Sequence, residues 1–174
     1  MHQRVRLITD SVADIPQSLV RRFDIGVMPI YLTLGDQTYR EDASFDREWF
    51  YQALSRRNGD LTTAAPPPQE FLRAYTSLAA QGAEVVIGIF TAGSVSSIYN
   101  HARVAANECD AVRVHVVDSR QISMGTGWLV IYAAELLARG MPVADVLTAL
   151  YGIRQRTFVL GVLNSLEYLQ RSGR

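Results

Sequence analysis

Residues 85–90 have the sequence VVIGIF, and residues 112–117 have the sequence VRVHVV. Both runs are short, continuous and rich in β-branched residues, which is typical of strands buried on both faces of a parallel sheet. Residues 94–106, between them, form a candidate helix. We therefore predict that the two runs are central parallel strands of one sheet, joined through a helix.

The rest of the chain repeats this alternation of short apolar runs and longer segments of helical period. Three further strands are predicted at residues 5–9, 27–32 and 158–163. Apolar residues at helical spacing predict helices, the first capped by Asp14, over residues 14–23, 49–54, 71–79, 94–106, 124–138, 143–155 and 165–171. The predicted fold class is α/β, with three layers: a mainly parallel, doubly wound sheet with helices on both faces.

Composition favours one soluble domain and excludes several partners. A chain of 174 residues with 48% hydrophobic content can build a single large core. Seventeen basic and seventeen acidic side chains leave no net charge, so we expect no nucleic-acid partner. The longest apolar window, residues 128–138, is too short for a membrane span, and the first residues lack a signal-peptide pattern. We expect a cytoplasmic protein in which the lone Cys109 forms no internal disulfide.

Polar side chains cluster where the predicted strands end, and ligands of open parallel sheets bind at that edge. The hydroxyl and acidic residues at these positions are Thr9, Asp10, Ser11, Thr91, Ser94, Ser96, Ser97, Asp118 and Ser119, with Thr62 and Thr63 in a predicted stiff loop before three prolines. Hydroxyls and free helical N–H groups donate hydrogen bonds, so the pattern favours an anionic ligand. The structural alternative is that these residues only cap helices and form turns.

The local sequence motifs of several enzyme classes are absent from this sequence. No glycine run is followed by the lysine of a P-loop. The pair Gly125 and Gly127 is not followed by the third small residue that a dinucleotide-binding loop requires. His2, His101 and His115 lie in no metal-ligand spacing, so no metal site is predicted. A Ser-His-Asp arrangement stays open, because its members meet only in space, although the G-x-S-x-G elbow is absent.

Six sequence blocks in a fixed order point to a family. They are TDSVADIP at residues 9–16, MPI at 28–30 followed by Gly35, Tyr39, Glu41 and Asp42, residues 63–71, VSSIYN at 95–100, VDS at 117–119 with SMG at 123–125 and Gly127, and LEYL at 166–169 with Gly173 and Arg174. Together they resemble the DegV family, bacterial fatty-acid-binding proteins that act as the binding subunit of fatty acid kinase.

The resemblance implies a protein that binds a long-chain fatty acid, performs no chemistry on it and needs no cofactor. It assigns Thr63 and Ser96 to the fatty-acid carboxylate and places the acyl chain in an apolar tunnel between core helices. The other candidate ligand residues are Ser94, Ser97, Asp10, Ser11 and Ser119. By the same resemblance, the partners are the catalytic subunit of fatty acid kinase and an acyltransferase, to which the bound acid is presented.

The resemblance also predicts a domain boundary. Residues 1–164 correspond to the family's N-terminal lipid-binding domain, and residues 165–174 begin the connection to a second α/β domain that is absent here. We therefore expect an exposed apolar face and a tendency to form a homodimer. Ala64 and Ala65 stand where the family's loop has serine and glutamine, and Ala92 and Gly93 stand where the family has a pair of serines, which removes several donors.

Two other functions stay open at this point. One is an interaction protein that keeps the fold and binds a partner without a ligand. The other is a small-molecule enzyme that uses Asp10, Asp118 and the serines on a polar anion.

Overall fold

The computed structural model describes residues 4–56, 61–166 and 169–170. The strands are β1 (Val5–Asp10), β2 (Gly26–Met28), β3 (Tyr31–Leu34), β4 (Gln37–Arg40), β5 (Leu61–Ala64), β6 (Val85–Phe90) and β7 (Arg113–Asp118). The helices are α1 (Gln17–Arg22), α2 (Arg47–Arg56), α3 (Pro68–Ala80), α4 (Ile98–Asn107), α5 (Met124–Ala138) and α6 (Val143–Arg154), and a short 3-10 helix, Ser11–Ala13, follows β1.

Four parallel strands form the main sheet in the order β2-β1-β6-β7. Val85 at the start of β6 pairs with Val5 on one side and with Arg113 on the other. All six residues of β6 are buried, as expected for a strand covered on both faces. The prediction that residues 85–90 and 112–117 share one parallel sheet is confirmed. The second of them is not central, however, because β7 is an edge strand of the described sheet and is mostly half-buried.

Helices cover both faces of this sheet. Successive side chains of a strand point to opposite faces. Val85, Ile87 and Ile89 therefore lie in one core with α5 and α6, whereas Val86 and Phe90 lie in the other with α3 and α4. Val20 of α1 packs on the first of these cores. The three-layer, doubly wound arrangement is the predicted fold class.

A smaller antiparallel sheet has the order β4-β3-β5, and its buried residues Leu32 and Leu34 belong to the core under α3 and α4. The predicted single strand at residues 27–32 is therefore two strands in different sheets. Pro29 separates them, because proline has no N–H to donate to a ladder. The predicted stiff loop around Thr63 is instead β5, which pairs with β3.

The predicted strand at residues 158–163 is wrong. This segment has no regular secondary structure, and Phe158, Leu160 and Val162 are 80%, 95% and 97% exposed. An apolar run becomes a strand only where a neighbouring strand supplies the ladder hydrogen bonds. Within the described ranges no strand pairs with it. The predicted helix over residues 165–171 lies partly outside the described residues.

Two predicted helix starts are also corrected. Asp14 does not cap α1, whose N-cap is Pro16 without a side-chain hydrogen bond. Asp14 instead has a left-handed backbone with φ of 53° and accepts a hydrogen bond from the Ser123 hydroxyl at 2.7 Å. The helix predicted from residue 94 starts at Ile98, because the preceding residues form a turn whose N–H groups donate to Ala92 O.

Helix α5 is internal, as predicted from its apolar circumference, and nine of its fifteen residues are buried. Its two glycines serve close packing. A Cβ added at Gly127 would lie 2.3 Å from the backbone oxygen of Ala13, and one added at Gly125 would lie 2.5 Å from a methyl group of Val159. No helix of the described residues is long and apolar enough to cross a membrane.

Candidate functional site

Asp10 is a buried anchor at the end of β1, only 1% exposed. Its carboxyl accepts hydrogen bonds from Thr91 N at 2.8 Å, from Thr91 Oγ1 at 2.9 Å and from Val12 N at 3.1 Å. Burial raises the pKa of the Asp10 carboxyl, and these hydrogen bonds partly oppose that rise. The accepting capacity of Asp10 is therefore used within the protein, where it joins β1 to the first residue after β6.

Asp118 performs a similar role from the other side. Its Oδ1 accepts hydrogen bonds from Gly93 N at 3.2 Å and from Arg120 N at 2.9 Å. A Cβ added at Gly93 would lie 3.0 Å from Tyr99 Cδ1, so the absence of a side chain lets the Tyr99 ring pack closely against this turn. Because β6 lies between β1 and β7, Asp10 and Asp118 hold the turn after β6 from both sides. They thereby fix the residues that follow it.

Those residues are 94–97, which we call the serine loop, and they lead directly into α4. Ser94 and Ser97 are exposed, and Ser96 is half-buried. Ser96 Oγ accepts a long hydrogen bond, 3.4 Å, from Ile98 N, so its own proton stays available for donation. The N-cap, Ser97, makes no side-chain capping bond. Hydroxyl donors thus surround a helix start whose dipole favours an anion.

Thr63 lies on the edge strand β5, directly opposite Leu32 of β3. Residues opposite each other share one face of a sheet, and Leu32 is 7% exposed within the core. Thr63 therefore lies on the inner face of the small sheet, although its edge position leaves it exposed. The loop after β5 contacts α4, because His101 Nδ1 lies 2.8 Å from Pro66 O. A separation of Thr63 and Ser96 within about 6 Å, enough to reach one carboxylate, stays a prediction.

Ser11 and Ser119, two further predicted ligand residues, have hydrogen-bond partners inside the protein. Ser11 Oγ donates to Glu41 Oε2 at 2.8 Å and accepts from Ile30 N at 3.1 Å. Ser119 is fully buried, and its Oγ lies 3.0 Å from Thr126 Oγ1. Both hydroxyls stabilise the strand ends from within. The serine loop is consequently the better-placed source of donors for a ligand.

A cleft of about 640 Å³ opens at the end of β1, where Asp10 and Ser11 line it, and extends to α1 and the segment before α2. Its lining includes Asp14, Glu41 and Asp42 together with Arg47. Arg47 bridges two of these acids, at 3.5 Å from Asp14 and 2.8 Å from Glu41. Because acids outnumber cations in this lining, the cleft disfavours an anionic ligand. Its electrostatics contrast with those of the serine loop.

The sequence gives no sign of the roles of two residues that shape this region, Arg47 and His101. Arg47 contacts Asp14, 33 residues away, and His101 contacts Pro66, 35 residues away, so no local pattern reveals either pair. Among the described residues, no group of three or more His, Cys, Asp or Glu side chains could hold a metal ion.

Comparison with known proteins identifies the family. The family model described as "Uncharacterised protein, DegV family" matches residues 4–174. The chain belongs to the DegV family. A DegV domain-containing protein from Caldanaerobacter subterraneus is 31% identical over 173 residues, which is 99% of this chain and 61% of that protein.

Solved DegV structures share the fold. A DegV family protein from Thermus thermophilus has a solved structure that is described in terms of its fatty acid binding. Its sequence is 34% identical to this chain, and the TM-score is 0.88. DegV from Bacillus subtilis, a fatty acid binding protein, is 26% identical with a TM-score of 0.89. Each match covers 99% of this chain and 61% of the other chain. This DegV chain thus spans about 61% of the length of these relatives.

Proposed function

We propose that this chain binds a long-chain fatty acid, with the carboxylate held by Ser96, Thr63 and the start of α4. The observation that carries the proposal is the match over 99% of the chain to the fatty-acid-binding protein from Thermus thermophilus, at 34% identity. We infer that the chain performs no reaction on the bound acid and serves as a carrier.

Electrostatics support the serine loop as the carboxylate site. A carboxylate needs donors, and the loop offers the hydroxyls of Ser94, Ser96 and Ser97 beside the first N–H groups of α4. The nearby acids, Asp10 and Asp118, are occupied by backbone and hydroxyl donors and act as supports. The acidic cleft on the α1 side would repel the same head group.

The acyl chain would provide most of the binding free energy. Each buried methylene contributes about 0.8 kcal/mol, whereas a hydrogen bond to a charged group contributes about 1.5–3 kcal/mol. A sixteen-carbon chain therefore outweighs two hydroxyl contacts. We place the chain in an apolar tunnel, so that the hydroxyls determine its orientation and the length of the tunnel determines chain-length preference.

We further propose that the bound acid is presented to the catalytic subunit of fatty acid kinase and to an acyltransferase in the cytoplasm. Residues 1–164 would form the lipid-binding domain and residues 165–174 the connection to a second domain. The apolar segment 158–163 supports this arrangement, because exposed apolar surface of this kind marks an interface. In the isolated chain the same surface would favour a homodimer.

Titration of palmitate into single variants tests the site. Thr63→Val and Ser96→Ala should each lower affinity by about ten-fold or more, since each removes one donor to a charged group. Thr38→Val is a matched control, because Thr38 is an exposed threonine on the other edge strand and its hydroxyl bonds to Thr33. Unchanged affinity in both site variants, with a lowered melting temperature, would mean that these hydroxyls only stabilise the fold.

A further inference from the structure

The loop that follows Thr63 has an unusual shortage of hydrogen-bond donors. Residues 66–68 are three consecutive prolines, and none of them has a backbone N–H. Carbonyl oxygens are therefore the backbone groups through which these residues can be anchored. Pro67 O accepts a hydrogen bond from Glu70 N at 3.0 Å, within the first turn of α3. Pro66 O needs a donor from elsewhere in the protein, because Pro66 is buried.

His101 supplies that donor. It lies one turn into α4, five residues after Ser96, and its Nδ1 is 2.8 Å from Pro66 O. A carbonyl oxygen only accepts, so Nδ1 must carry the proton in this contact. A second contact joins Ala102, the next residue of α4, to α3: the Tyr75 hydroxyl donates to Ala102 O at 3.2 Å. The two contacts differ in what they hold: the first fixes the proline loop, and the second fixes only the two helices.

We propose that His101 is a positioning residue for the carboxylate site. Its Nδ1–H holds the loop after Thr63 against α4, and so fixes the distance between the Thr63 hydroxyl on β5 and the Ser96 hydroxyl before α4. This inference rests on the proposed function. Two hydroxyls reach one carboxylate only when their spacing is held to a fraction of an ångström, and the three prolines at residues 66–68 offer no N–H with which the loop could be anchored from its own backbone.

Three variants of the whole chain test this role through palmitate titration and melting temperature. His101→Phe keeps a planar ring but removes the donor, and should lower affinity about ten-fold. His101→Asn places an amide N–H near the position of Nδ1, and should restore most of that affinity. Tyr75→Phe is the matched control: it removes the adjacent α3–α4 contact, and should lower stability without changing affinity. Nitrogen-15 NMR of the wild-type ring should show a proton on Nδ1.

The outcomes separate the inference from the function on which it rests. Wild-type chain that fails to bind palmitate overturns the proposed function, and the inference with it. Palmitate binding that is equally tight in the wild type and in His101→Phe overturns the inference alone. An Nε2–H tautomer, or an Asn variant as weak as the Phe variant, also contradicts the role of Nδ1–H.

Discussion

Replacing Asp10 with alanine should destabilise the fold by about 3 kcal/mol. The substitution removes the acceptor for three donors: Thr91 N, Thr91 Oγ1 and Val12 N. Thr91 is 3% exposed, so its N–H would stay buried and unsatisfied, at a cost of about 1–3 kcal/mol. The hydroxyl and the half-buried Val12 N–H can find other partners, and each adds up to about 1 kcal/mol. Asp10→Asn keeps one oxygen acceptor and should cost roughly half as much.

Urea unfolding at several pH values tests whether the protonated or the ionised form of Asp10 stabilises the fold. Burial raises the pKa of Asp10 above its ordinary value of 3.8, so the folded state holds the proton more tightly than the unfolded state. The stability contributed by Asp10 is therefore fully present below pH 3.8 and is lost as pH rises through the folded pKa. Alanine has no such titration. The difference in unfolding free energy between wild type and Asp10→Ala should be largest near pH 4 and smaller at pH 8.

Two results would refute this reasoning. A difference below about 1 kcal/mol at every pH would mean that Thr91 N finds another partner when Asp10 is removed. A difference that grows from pH 4 to pH 8 would mean that the ionised carboxylate is the stabilising form, and that its hydrogen bonds outweigh burial.

Three other predictions address packing, binding and association. Gly127→Ala should destabilise the chain by about 1–3 kcal/mol in urea unfolding, because the new Cβ would clash with a backbone oxygen. Gly152→Ala, on α6 with nothing within 4 Å of the added Cβ, should be neutral or stabilising by up to about 1 kcal/mol; equal losses in both would contradict the packing argument. Ser96→Ala should leave the melting temperature within about 2 °C of wild type while affinity falls, because the half-buried hydroxyl makes only one long hydrogen bond, 3.4 Å from Ile98 N, within the protein. Leu160→Ser with Val162→Ser should shift light scattering toward monomer without loss of stability, since both side chains are almost fully exposed; an unchanged dimer would exclude this segment from the interface.

The main sheet was predictable because its signal is local. Residues 85–90 form a short apolar run in sequence, and β6 is buried along its whole length. Residues 158–163 carry the same signal, and yet they form no strand in the described structure. Apolar periodicity reports that a segment can be buried, but not whether a neighbouring strand is present to pair with it. At residues 27–32 the apolar pattern did not reveal that the chain passes from one sheet to the other at Pro29. The ladder hydrogen bonds are interrupted there because proline has no N–H.

The position of the polar cluster at the strand ends could be predicted from the sequence, whereas the roles of its residues could not. The carboxyl ends of β1, β6 and β7 do gather the expected hydroxyls and acids. Whether such a residue faces a ligand or a distant backbone group depends on contacts across the fold. Asp10 bonds to Thr91, 81 residues away, and the sequence gives no sign of this pairing. For the same reason the contact between His101 and Pro66 could not be predicted, and the spacing of the histidines served only to exclude a metal site.

Native mass spectrometry of the chain as purified from bacterial cells tests the central claim most directly, because a bound fatty acid appears as added mass. We expect an adduct of long-chain fatty-acid mass on the wild-type chain, released on denaturation, and its loss from the Thr63→Val, Ser96→Ala double variant. A wild-type chain without any such adduct that also fails to take up added palmitate, or a double variant that retains the full adduct, would contradict the claim.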